Sequence, residues 1–108
     1  MKLIVAIVQS EDAKRLQNAF IDHDVRATKL ASTGGFLREG NTTFLVGVED
    51  EDVDDVLDII HENSQTREEV ITPGLHPGIS FEQQIDPVNI TVGGATVFIL
   101  PVDRFLHF

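Results

Sequence analysis

Between Thr33 and Val48 the chain reads T-G-G-F-L-R-E-G-N-T-T-F-L-V-G-V, a glycine-framed loop carrying an aromatic and an arginine just ahead of a strand with polar and glycine positions. Glycines in such a loop let backbone N–H groups approach an anion. Arg38 supplies charge, and Phe36 supplies a flat apolar face. Together these are the needs of a ligand that has both a phosphate and a base. Arg26, Lys29 and Arg38 make a basic island beside this loop in an otherwise acidic chain, which favours a small anion over solvated surface cations.

Other chemistries fit less well. Gly35 to Thr42 nearly matches a phosphate-loop motif, but Asn41 stands where its lysine belongs and a strand, not a helix, follows. NTPase chemistry is therefore rejected, while a polar amide still converges on the loop. His23, His61, His76 and His107 have no metal-ligand spacing, so no metal site is expected. His107, between Phe105 and Phe108, is instead placed to close over a neighbouring site. Asp52, Asp54, Asp55 and Asp58 lack the glycine and terminal glutamate of a calcium loop and serve solubility. With no serine–histidine–aspartate constellation, the chain reads as a binding protein and not an enzyme, with no catalytic residues and no cofactor.

These residues need a scaffold, and 108 residues make one domain, 1–108, with a core of its own. The absence of cysteine excludes disulfides and thiolate metal sites. A formal charge of −10 repels polyanions, which argues against nucleic-acid polymers and anionic membranes. The apolar start Met1 to Val8 is too short for a signal peptide or a membrane span, so a cytoplasmic protein is expected.

Lys2 to Val8 is a continuous apolar strand. Ser10 is the expected N-cap of a helix with Ala13, Leu16 and Phe20 on its packed face, ending near His23-Asp24. Val25 to Ala31 and Thr42 to Val48 read as strands joined by the glycine loop, with Thr42, Phe44, Val46 and Val48 on one face. Asp50 is the expected N-cap of a second helix whose stripe is Val53, Val56, Leu57 and Ile60. Glu69 to Thr72 is a short strand, and Val88 to Val102 a long one broken at Gly93-Gly94 by a bulge or bend. Pro73 to Pro87 is a second long loop.

Strand, helix, strand, strand, helix, strand is the order of the α+β ferredoxin-like βαββαβ fold. Its sheet carries helices on one face only. The other face, rich in Val, Ile, Leu and Phe, would be left exposed in a monomer, and self-association is the simplest cover.

The stretches Arg26 to Ala31, Thr33 to Arg38, Gly40 to Phe44, Gly93 to Phe98 and Pro101 to Asp103 resemble the PII-like cyclic di-AMP receptor family (PstA/DarA) of Gram-positive bacteria, over essentially the whole chain. The resemblance implies a signal-transduction homotrimer of ferredoxin-like subunits with three clefts between neighbours, each taking one cyclic di-AMP. The matching ligand positions are Arg26, Ala27, Thr28, Gly35, Phe36, Leu37, Asn41 and Gly47, with Phe98 and the C-terminal residues arriving from the last strand or an adjacent subunit. His107 stands where relatives often carry glutamine. Ligand binding would then order the loops at about 31–40 and 73–87 and regulate a target protein whose identity is not legible.

The residue chemistry agrees with this. Asn41 can donate to and accept from an adenine edge, and Gly47 lets a base approach the strand backbone. Two rival readings share the fold: a PII-type sensor of ATP, and a trimeric metal-handling module of the copper-tolerance type. The long second loop and the glycine motif disfavour the first. One methionine and no cysteine disfavour the second.

Overall fold

The computed structural model describes residues 1–30, 40–71 and 88–108. Its elements in chain order are β1 (Lys2–Gln9), α1 (Ser10–Asp22), β2 (Thr28–Leu30), β3 (Asn41–Val48), a 3-10 turn (Asp50–Asp52), α2 (Val53–Ser64), β4 (Arg67–Ile71), β5 (Val88–Val92) and β6 (Ala95–Pro101). The expectations for the segments 31–39 and 72–87, including both long loops, fall outside the described residues.

The main sheet has the order β2-β3-β1-β6, and every neighbouring pair is antiparallel. This order is compatible with the ferredoxin-like α+β fold. Alternation sets which face meets the helices: Ile4, Ala6 and Val8 of β1 and Thr42, Phe44 and Val46 of β3 are buried, while the residues between them are only half-covered or exposed. From α1, Ala13, Leu16 and Phe20 enter the same core, and from α2, Val56, Ile59 and Ile60. Phe20 and Phe44 meet edge to face at 5.6 Å, joining α1 to the centre of β3.

Several local features differ from the sequence reading, each for a physical reason. Ser10 does not cap α1: Gln9 holds the cap position without a side-chain bond, and the Ser10 hydroxyl donates to the Gly40 carbonyl. Asp50 does not cap α2. Asp50–Asp52 forms a separate 3-10 turn, Asp52 precedes α2, and the Asp50 carboxylate pairs with the amine of Met1 at 3.0 Å. Ile59, not Leu57, completes the buried stripe of α2, because that helix turns its Val56–Ile60 edge to the core. Among the described residues the second strand is Thr28–Leu30, beginning three residues later than Val25, because pairing with β3 starts at Thr28.

The largest departure lies at Gly93-Gly94. Here the chain leaves one sheet for another: β5 pairs with β4 in a two-stranded ribbon, and β6 pairs with β1 in the main sheet. Both glycines have positive φ, 81° and 96°, so the pair is a corner and not a bulge within one strand. Among the described residues no helix is long and apolar enough to cross a membrane.

Candidate functional site

Opposed residues of an antiparallel sheet share a face. Phe98 opposes Val5, Val5 opposes Leu45, and Leu45 opposes Thr28, so these four form one row across all four strands on the face away from the helices. Phe98 is 52% exposed and Thr28 is exposed, so both ends of the row present their side chains to solvent. A second row, Gly47, Leu3 and Leu100, runs parallel to it, and Leu100 is also exposed.

Arg26 and Gly47 each lie two residues beyond the Thr28–Leu45 pair, toward the same end of the sheet. Val25 and Ala27 pack against the core, and Arg26 is left exposed between them. Arg26 and Gly47 line one cleft of about 720 Å³, whose other wall is α2. That wall, with Asp52 of the turn before it, carries Asp55, Asp58 and Glu62, and these carboxylates would repel a phosphate. The rim formed by Arg26 and Gly47, and not the depth of the cleft, is the part with the right charge for an anion.

Gly47 has no structural need to be glycine within this chain. It is exposed, its φ is not positive, and a Cβ built on it meets nothing within 4 Å. Glycine within a strand ordinarily weakens it. A bare backbone here leaves room for something that approaches the strand.

Asn41 stands apart from this cluster. It is half-buried at the start of β3, opposite Gln9, and six residues from Gly47, which corresponds to about 20 Å along an antiparallel strand. Gly40, immediately before it, has φ +50° and receives the backbone N–H of Ser10 at 2.9 Å. His107 is exposed in the segment after β6. Gly35, Phe36 and Leu37 lie outside the described residues.

The fold thus gathers Arg26, Thr28 and Gly47 at one end of the face, puts Phe98 in the same row as Thr28, places Asn41 at the far end, and directs Ala27 into the core. Sequence reasoning passed over Val5, Leu45 and Thr43 on this face: in β3 the face assigned to Thr42, Phe44 and Val46 implies it, whereas the unbroken apolar run of β1 does not. Among the described residues no group of histidine or carboxylate side chains is arranged to hold a metal ion.

With this geometry in place, two comparisons bear on the site. The family described as "Cyclic-di-AMP receptor" matches residues 1–108. A crystal structure of a functionally unknown protein from Pediococcus pentosaceus ATCC 25745 is 52% identical, with a TM-score of 0.80 over 99% of this chain and 96% of that one.

Proposed function

This chain belongs to the cyclic-di-AMP receptor family, and from that premise we propose that it is a non-enzymatic signalling protein that binds cyclic di-AMP in clefts between the subunits of a homotrimer. The observation that carries the reading is the open space at Gly47, which alternates with the helix-packed residues of β3, with Arg26 at the same end of the sheet. Arg26 supplies a cation for phosphate, Thr28 a hydroxyl, and the Gly47 backbone a surface on which a base can lie. Phe98 offers an aromatic face for stacking.

The separation of Asn41 from this group supports a shared site. Two recognition points about 20 Å apart along one strand do not converge on one ligand within a protomer. A neighbour that brings its Asn41, with Gly35, Phe36, Leu37, Phe98 and His107, against the Arg26–Gly47 rim would complete it. The exposed apolar residues Leu30, Phe98 and Leu100 fit a face covered by other subunits. Ligand binding would order the segments near 31–40 and 73–87, and the ordered form would engage a partner protein in the cytoplasm.

Calorimetry with cyclic di-AMP, cyclic di-GMP, ATP and divalent copper, alongside light scattering, tests this. One cyclic di-AMP per subunit of a trimer, recovered intact after incubation, is the expected result. Indifference to cyclic di-AMP, a cleaved product, or a monomer that binds at full strength would overturn it.

A further inference from the structure

The β1–α1 junction holds together three segments that are distant in sequence. Both the backbone N–H of Ser10, at 2.9 Å, and its hydroxyl donate to the carbonyl of Gly40, the residue that delivers the chain to Asn41. Gln9, which pairs with Asn41 across the sheet, accepts the N–H of Gly93 on its Oε1 at 2.8 Å. Asp12, two residues into the helix, is fully buried, and its carboxylate accepts from Arg15 at 2.6 Å and from Arg67 at 2.8 and 3.3 Å.

Those partners tie this turn to different parts of the fold. Arg67 is the first residue of β4 and pairs with Val92, the last of β5, so it grips the two-stranded ribbon at its root. Arg15 also donates to the carbonyl of Asn63 at 3.0 and 3.1 Å, fixing the end of α2. Gly93 fills the remaining space: a Cβ there would lie 2.6 Å from the Arg67 guanidinium and 3.3 Å from the Asp12 carboxylate. A two-stranded ribbon is marginal on its own and takes its order from its anchor. A buried carboxylate tolerates little displacement from its guanidinium partners, because any gap leaves charge without compensation.

Ser10 and Asp12 share the first turn of one helix, so a shift of Gly40 that drags Ser10 also displaces Asp12 from Arg67. We infer that this turn is a coupling joint: the strand entry at Gly40-Asn41 and the β4–β5 ribbon move together, with Ser10, Asp12 and Arg67 as positioning residues. The inference deepens the cyclic di-AMP reading, since it rests on that ligand ordering the segment that ends at Gly40. It implies that a ligand bound at the sheet is felt at the ribbon without touching it.

Hydrogen exchange read by mass spectrometry on the full chain tests the joint through a cycle of Ser10→Ala, Arg67→Gln and the double variant. Each single change is expected to speed exchange at least threefold both in 41–48 and in 67–71 with 88–92, and the double variant to fall short of the product. Saturating cyclic di-AMP should slow exchange in 88–92 at least threefold in the wild type and in Arg67→Lys, and fail to do so in Arg67→Gln. Where Arg67→Gln does not fold, Asp12→Asn, which removes the other charge of the same pair, replaces it in the cycle and in the ligand arm. Effects confined to the mutated side, with independent factors in the double variant, overturn the coupling. A wild type that ignores cyclic di-AMP in calorimetry removes the functional reading, while the ligand-free cycle still decides the joint.

Discussion

Arg26 and Gly47 line the same rim from the ends of two neighbouring strands, one bringing a cation and the other an open backbone. The pairing matters because each residue is otherwise costly or idle. An exposed arginine beside a wall of α2 carboxylates is attracted to them, and a glycine within a strand gives up packing. A ligand that carries both charge and a flat face makes sense of the two together.

Gly47→Ala separates ligand space from stability. The added methyl meets no protein atom within 4 Å, and restricting the unfolded chain tends to stabilise by about 0.4–1 kcal/mol. Urea denaturation should therefore show unchanged or slightly raised stability. Calorimetry should show cyclic di-AMP affinity reduced about tenfold or more, equivalent to about 1.4 kcal/mol. Undiminished affinity would take the strand backbone at 47 out of the site.

Asn41→Ala should weaken cyclic di-AMP by on the order of 1–3 kcal/mol, as expected when a buried base edge is left without its partner. The change is confined to a half-buried side chain at the start of β3, so the melting temperature should move little. In mixed trimers of Asn41→Ala and Arg26→Ala chains, some clefts should regain both intact residues, because a shared cleft draws the two from different subunits. Native mass spectrometry counting bound ligand per trimer would detect this recovery, and its absence would place both residues in one protomer.

How much of this was legible beforehand depended on range. The β3 strand and the α1 face followed from periodicity, and β1 from its unbroken apolar run, although only the structure shows that Ile4, Ala6 and Val8 alternate there with less covered neighbours. Ser10 and Asp50 were misassigned because local cap preference was outbid by distant partners, the Gly40 carbonyl and the Met1 amine. By position alone Asp12 is a first-turn carboxylate of the kind a helix dipole favours. Its burial depends on Arg67, far along the chain, and no local pattern encodes that pairing. The strand switch at Gly93-Gly94 was visible as a break but not as a change of sheet, because strand partners are set by tertiary packing. Arg26, Thr28 and Gly47 were found as residue types, whereas their common face emerged only from the register.

Gly93→Ala should be among the most damaging single substitutions at the ribbon root. A φ of 81° costs a side chain about 1–3 kcal/mol in backbone strain alone. The methyl would also lie 2.6 Å from the Gln65 carbonyl, a backbone atom that cannot swing aside. Chemical denaturation should show a loss of at least the strain cost. A value within experimental error of the wild type would mean that the corner relaxes into another conformation.

The Asp50–Met1 ion pair makes a prediction in pH. The hydrogen bond from the N-terminal ammonium and then its charge hold the Asp50 carboxyl below its ordinary value of 3.8, against an opposing effect of burial that outweighs the further help from Lys2. A carboxyl whose folded value is depressed stabilises the fold fully above its unfolded value and loses that contribution as pH falls through the folded one. The stability difference between wild type and Asp50→Asn should therefore be level from about pH 5 to about pH 7 and shrink below about pH 4. The carboxylate is 66% exposed, so added salt should also diminish the difference. Acetylating the N-terminal amine should reproduce the Asp50→Asn profile in the wild type. Parallel pH profiles for wild type and Asp50→Asn down to pH 3 would show that the pair does not form in solution.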